Sequence, residues 1–278
     1  MTADRKSRMR AMLEPIRASA RFEKKTLAQQ VLTYVVSFCI LLLIWQIASM
    51  VINAMSHNEL LPGPYRALSQ VVKNAAELRR HFAASALRLV AAIATALFVA
   101  VPLGLVVGRE RLLDRFLSPM LYITYPIPQV ALILVLFIIF GAGNVTMVAM
   151  VALVLVFQIL MSARGAAKNL DEDHITSVVS AGASRWQVYR HVVLPATIPD
   201  ILTSLRVSIG LGVAFLYIAE TTIMSNGLGF YIKKHMLFAR DLAFAGIITL
   251  AVLGLILYLA IDALEHILCR WKHVRRKP

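Results

Sequence analysis

Acidic residues are scarce in this chain: 15 Asp and Glu stand among 278 residues, against 29 Lys and Arg. Charged residues of either sign reach only 16%, where a soluble domain carries roughly 25%. That shortage excludes an ordinary soluble enzyme and a charge-rich disordered chain. Cysteine is scarcer still. Cys39 and Cys269 lie at opposite ends of the chain, one in an apolar run and one beside a basic tail, so they imply no disulfide framework. The histidines (His57, His81, His174, His191, His235, His266 and His273) are scattered, without a His-Glu-x-x-His pair or a Cys/His cluster. Metal catalysis therefore has no support, and no Gly-x-Ser-x-Gly elbow offers a catalytic serine.

What the chain has in abundance is apolar residues. They make up 59%, against about 45–50% in soluble domains, and the mean hydropathy is +0.72. In a soluble protein the net charge of +14 would suggest nucleic acid. In a membrane protein it is the mark of cytoplasmic loops that collect Lys and Arg.

A helix of about 20 apolar residues crosses the hydrocarbon layer. Six stretches qualify or nearly so: Val31–Met55, Leu89–Val107, Met120–Phe140, Val145–Ser162, Ile201–Ile223 and Phe244–Ile261. The expected fold is an all-α polytopic membrane protein with six transmembrane helices. The first stretch is too long for a signal peptide and ends at no clean small-residue cleavage site. Six spans put both termini on one side, with the connections after the second and fourth spans. Most of the 29 basic residues fall there. They include Arg5, Lys6, Arg8 and Lys25 in the N-terminal tail, Arg109, Arg111 and Arg115, then Arg164, Lys168, Arg185 and Arg190, and Arg275, Arg276 and Lys277 at the end. The positive-inside rule makes both termini cytoplasmic. The expected organisation is a basic cytoplasmic tail (1–30), a first transmembrane helix (31–55), an extracytoplasmic amphipathic segment (56–84), a core (85–268) with a cytoplasmic loop (163–200), and a second basic tail (269–278).

In the outer segment, Leu61-Pro62-Gly63-Pro64 stops one helix and can start another at Tyr65. Tyr65, Leu68, Val71, Val72 and Leu78 then recur at helical spacing, an amphipathic helix at the membrane surface or packed on the bundle. The cytoplasmic loop is about 38 residues, too long for an unstructured link. Asp171-Glu172-Asp173 caps a helix running to Ala181, and Gly182 sits where a left-handed C-terminal cap favours glycine. Ser184 and Gln187 form a capping box for a second helix that presents Trp186, Tyr189 and Arg190 and stops at Leu194-Pro195. A large aromatic and a basic residue on a water-side helix suit a groove on a partner. An interfacial aromatic belt would place Trp186 and Tyr189 equally well.

Polar groups inside spans are candidates for the solute pathway. Arg206 lies close enough to the cytoplasmic face to snorkel. Glu220 follows 14 residues later, about 21 Å along the helix, so the two cannot pair within one helix. Glu220, with Thr221 beside it, either bonds across to the turn at Asn226-Gly227 or serves the pathway. Pro126, Pro128 and Gln129 break the third span, as in helices that line transporter sites. Gln129 and Gln158 either face the pathway or bond between helices. Gly104 and Gly108 make a Gly-x-x-x-Gly pair suited to close helix packing.

At the cytoplasmic loop the chain resembles a known family. Gly182-Ala183-Ser184-Arg185-Trp186-Gln187-Val188-Tyr189-Arg190, followed by Val193-Leu194-Pro195-Ala196, is similar to the signature loop of binding-protein-dependent ABC importer permeases. Leu61-Pro62-Gly63-Pro64, Val101-Pro102-Leu103-Gly104, Tyr125-Pro126-Ile127-Pro128, Phe140-Gly141-Ala142-Gly143 and Ala219-Glu220 with Gly227-Leu228-Gly229 extend the likeness to the nitrate/sulfonate/taurine branch over residues 60–270. One departure stands out. The family opens the loop with Glu-Ala-Ala, and this chain has Thr176-Ser177-Val178, with Asp173 a candidate substitute for the carboxylate.

The resemblance implies a type I ABC importer permease fold in a bacterial plasma (inner) membrane. It implies a coupling helix held by a separate ATPase through Asp173, Ala181, Gly182, Ala183, Ser184, Arg185, Trp186, Tyr189, Leu194 and Pro195. The chain has no Gly-x-x-x-x-Gly-Lys-Ser/Thr run, so it cannot bind ATP that way itself. The resemblance implies that ATP and Mg belong to that partner and that this chain is a non-catalytic subunit without a cofactor of its own. A solute-binding protein and a second permease chain, most simply a homodimer, complete the assembly, embedded in lipid and without nucleic acid. The cargo implied is a small anion such as a sulfonate, taurine or nitrate, with a vitamin precursor as the alternative. A membrane enzyme would want ionisable residues clustered at one depth, and a channel would not need a capped loop.

Overall fold

The computed structural model describes residues 27–56, 59–124 and 127–270, and every regular element among them is helical. The basic residues of the N-terminal tail, Lys272, Arg275, Arg276 and Lys277, and also Tyr125 and Pro126, lie outside the described residues. The chain divides into two compact units, residues 1–64 and 65–278.

The first unit is one long helix and the segment that returns along its end. Helix α1 (Leu27–Ser56) is apolar on nearly every side and leaves most of its side chains exposed, the surface of a lipid-facing span. Near its end the side chains supply what the following irregular backbone lacks. Asn53 Oδ1 accepts from the amides of Leu60 and Leu61, at 2.8 and 3.0 Å. Ser49 Oγ donates to the Leu61 carbonyl and Trp45 Nε1 to that of Pro62. Non-helical backbone at the edge of a membrane must find such partners.

The second unit holds the remaining elements. Pro64 opens α2 (Pro64–Lys73), with its fixed φ at the first helical position. The expected single amphipathic helix through Leu78 is instead broken at Asn74. Leu78 already belongs to α3 (Ala75–Arg109), which starts well before the apolar window at Leu89. Glu110 alone joins α3 to α4 (Arg111–Thr124). A 3-10 turn (Gln129–Ala131) leads into α5 (Leu132–Phe140), and α4 and α5 meet at 80°. Then follow α6 (Asn144–Lys168), α7 (Glu172–Ser180), α8 (Arg185–Val188), a π turn (Tyr189–Val193), α9 (Leu194–Ile223), α10 (Leu228–His235) and α11 (Arg240–Leu268). Among the described residues five helical runs are long and apolar enough to span, and the bent α4–α5 pair makes a sixth when joined. The break expected around Pro128 and Gln129 is present.

The core forms where α3 crosses α6. Leu89, Ala92, Ala96 and Ala100 recur on one face of α3 and are buried with Val151, Leu155, Ile159 and Ala163 of α6. Further along, the backbones approach so closely that only glycine fits. A Cβ on Gly104 would lie 2.8 Å from the Leu160 carbonyl oxygen, and one on Gly108 2.5 Å from that of Arg164. Between spans, where lipid is as apolar as leucine, small residues let helices gain dispersion contact directly. Ion pairs add register at the helix ends. Asp114 of α4 accepts from Arg164 and Lys168 of α6 at 2.6 and 2.7 Å. Arg206 of α9 does not simply snorkel. It bridges Asp262 and Glu265 of α11 and lies over the Tyr258 ring.

Candidate functional site

The segment between α6 and α9 is built by local chemistry. Asp171 caps α7, its carboxylate accepting from the Asp173 amide at 3.0 Å, and Glu172 and Asp173 face the positive helix end. Ala181 ends that helix, and Gly182 adopts φ +89°, which a side chain would resist. The Gly182 amide donates to the Val179 carbonyl and the Ala183 amide to that of Val178, closing the cap. Ser184 and Gln187 then form the full capping box: the Ser184 amide donates to Gln187 Oε1 at 2.7 Å, and the Gln187 amide to Ser184 Oγ. The two helices are thereby joined by an elbow whose angle the backbone fixes.

The outer side of the elbow is open. Asp173, Ala181, Gly182, Ser184, Arg185 and Arg190 are exposed, Trp186 stands 71% exposed, and Ala183 is half-buried. The inner side is anchored. Val188 and Val193 are buried in the core, and the Tyr189 hydroxyl donates to Glu110 at the α3–α4 junction. A cavity of about 300 Å³ lies on that inner side, with Arg109, Glu110, Ile175 and Tyr189 in its wall.

One expectation for this segment fails. Leu194-Pro195 does not end the helix, and at the start of the segment α6 runs on to Lys168. The chain is helical without interruption from Arg185 to Ile223. Proline lacks an amide proton and its ring crowds the carbonyl four residues back. Just before Pro195 the chain widens into the π turn, where the Leu194 amide donates to the Tyr189 carbonyl five residues back. The Thr197 hydroxyl donates to the carbonyls of Val193 and Leu194. The helix thus passes its proline by changing register instead of stopping. A movement of the elbow is connected to span α9 through continuous helix.

Of the polar residues in the spans, Glu220 has the clearest setting. It is 0% exposed, and its carboxylate accepts from Arg88 Nη1 (2.6 Å), Ser85 Oγ (2.8 Å) and the Gly229 amide (2.8 Å). Arg88, 4% exposed, also donates to the Asn226 carbonyl and side chain and to Asn144. Ser85 Oγ accepts from the Leu228 amide and His81 Nδ1 from that of Gly227. The group clamps the turn between α9 and α10 onto α3. The bond from Glu220 to that turn is therefore found, at Gly229. Gln129 and Gln158 are half-buried, and the Gln158 backbone carbonyl accepts from Ser204. Thr221 bonds its own helix and its carbonyl accepts from Lys233. None of Gln129, Gln158 and Thr221 lines the cavity at the elbow.

Sequence reasoning named the turn at Asn226 but missed Arg88, Ser85 and Asn144. Arg88 lies one residue outside the apolar window that begins at Leu89. A signal was available: a carboxylate buried near one end of a span needs a cation at the same depth.

The same architecture is known elsewhere. Residues 100–268 match the family model described as "Binding-protein-dependent transport system inner membrane component". The taurine transport system permease protein TauC of Escherichia coli (strain K12) is 32% identical over 219 residues, 76% of this chain and 80% of that one. The formylaminopyrimidine transport permease protein ThiX of Halalkalibacterium halodurans is 26% identical over 237 residues, 84% of this chain and 94% of that one. Among solved structures, an inward-facing form of the MetNI methionine ABC transporter aligns with a TM-score of 0.61 at 16% identity, covering 69% of this chain and 96% of that one. That likeness shows the type I permease fold. On the family match and the identity to TauC, the chain belongs to the binding-protein-dependent transport system inner membrane component family, the non-catalytic, multi-pass permease subunits of ABC importers.

Proposed function

We propose that this permease carries a small anion of the sulfonate class into the cytoplasm, driven by an ATPase that docks on the exposed elbow. The single observation that carries the reading is that elbow: a capped, rigid turn with Trp186 and Arg185 exposed, joined by unbroken helix to span α9. In this reading both termini and the elbow face the cytoplasm of a bacterial cell, as the basic residues favour. Asp173, Ala181, Gly182, Ala183, Ser184, Arg185 and Trp186 meet the ATPase, while Tyr189, bonded to Glu110 on the inner side, and Leu194 and Pro195 transmit its movement. The carboxylate absent from Thr176-Ser177-Val178 is replaced by Asp173, exposed on the first turn of α7.

Two such chains, as a homodimer, meet two ATPase subunits, which bind ATP and Mg. A solute-binding protein delivers cargo on the outer side. Closure of the ATPase pair biases the bundle between two access states, which is how one ligand can drive a two-state element. Gln129, Gln158 and Thr221 are the residues assigned to the solute path. TauC supports the sulfonate class. The likeness to ThiX favours a second reading, in which the same architecture carries a vitamin precursor. The test is ATP-dependent uptake in proteoliposomes holding the permease, its ATPase and its binding protein. Uptake of taurine or ethanesulfonate and not of formylaminopyrimidine supports the first reading, and the reverse result selects the second.

A further inference from the structure

The Arg88 clamp has an open side. Beside it lies a cavity of about 290 Å³, walled by Arg88, Asn144 and Asn226 and by the apolar Ala84, Ala91 and Val148. It stands at the small end of ligand pockets, suited to an ion of a few heavy atoms.

The polar side chains in its wall, those of Arg88, Asn144 and Asn226, all carry N–H donors. Arg88 Nε donates to Asn144 Oδ1 at 2.8 Å, and Arg88 Nη2 donates to Asn226 Oδ1. These bonds orient both amide groups with oxygen toward the guanidinium and nitrogen away from it. Each Nδ2 keeps two N–H groups, and neither donates to a partner among the described residues. The acceptors nearby are already engaged. Both Glu220 oxygens are bonded to Ser85, Arg88 and Gly229, and the Asn226 carbonyl accepts from Arg88. A cation would find no uncommitted side-chain oxygen among these groups, whereas an oxyanion would find up to four N–H donors with a guanidinium behind them. Asn144 is also the first residue of α6, whose positive end adds to the same potential.

We propose that this cavity is an anion site: the amide nitrogens of Asn144 and Asn226, held in place by Arg88, take the sulfonate oxygens of the transported solute. The proposal rests on the importer reading above and places the charged group of its cargo. A phosphate of a lipid headgroup has the same chemistry, so the test separates the two sources.

The purified full-length permease is placed in phosphatidylcholine nanodiscs and titrated with ethanesulfonate, taurine and, as the opposite charge, ethylammonium. The expected result is binding of the sulfonates and not of ethylammonium. Asn144→Asp and Asn226→Asp keep an oxygen for Arg88 and set a negative charge in the cavity. Each is expected to lower sulfonate affinity by at least about tenfold without lowering the melting temperature, since a charge-assisted bond to Arg88 is no weaker than the amide's. Were these side chains structural only, binding would not change, and that result overturns the proposal. Ala84→Glu adds a carboxylate to the wall without touching any bond of the clamp, and it must show the same loss even if the Asp variants misfold. Sulfonate binding abolished in phosphatidylglycerol nanodiscs at equal ionic strength would assign the site to a headgroup and overturn the solute assignment. Wild-type protein that binds neither sulfonate also overturns it, while copurification with an ATPase would still uphold the importer reading.

Discussion

The Arg88–Glu220 pair makes a prediction whose size follows from burial. Arg88→Met removes the cation and two of its bonds to Asn226, leaving the fully buried carboxylate with only Ser85 and the Gly229 amide. Stranding one partner of a buried pair costs about 3–5 kcal/mol. Glu220→Gln strands Arg88 at 4% exposure, at a cost in the same range. The double variant strands neither charge. It retains a side-chain oxygen for Ser85 or Gly229, so its loss should be smaller than that of Arg88→Met by at least about 2 kcal/mol. The assay is reversible denaturant unfolding of the four proteins in one detergent, read as a double-mutant cycle. Losses that simply add would refute the reasoning, because they would mean that the two side chains do not depend on each other.

Other outcomes follow from the same geometry. Gly182→Pro forces φ to about −65° where the chain requires +89°; it should abolish solute-stimulated ATP hydrolysis in the assembled transporter while membrane expression persists, and unchanged stimulation would remove the elbow from the mechanism. Gly108→Leu drives a side chain into the Arg164 backbone and should cost at least about 1–3 kcal/mol, seen as reduced folded yield and a lower melting temperature. Arg206→Ala leaves Asp262 and Glu265 facing each other one helical turn apart; the melting temperature should fall, and a further Asp262→Asn change should recover part of the loss.

The sequence carried the parts of this structure that depend on neighbours in the chain. The capping box at Ser184 and Gln187, the left-handed Gly182, the cap at Asp171 and the long apolar runs each follow from residues within a few positions of one another. The close crossing at Gly104 and Gly108 was legible too, because small residues four apart lie on one helix face. Arg88 was not, since its partner Glu220 is 132 residues away and an apolar-window search set the start of the span just beyond it. Pro195 misled for a related reason. A proline stops a helix when its neighbours cannot re-bond, but here a π turn and the Thr197 hydroxyl absorb the defect. The bend at α4–α5 was foreseen, but which neighbours it serves depends on tertiary packing.

The central claim is that this chain transports by coupling to a separate ATPase through its elbow. The most direct measurement is an affinity pull-down of the tagged permease from native membranes in mild detergent, with copurifying proteins identified by mass spectrometry. The account predicts a Walker-motif ATPase in equal copy number with the permease from wild type, and its loss when Trp186 and Arg185 are both changed to Ala. A permease that copurifies only with itself, or an ATPase that remains bound when the outward face of the elbow is removed, would contradict it.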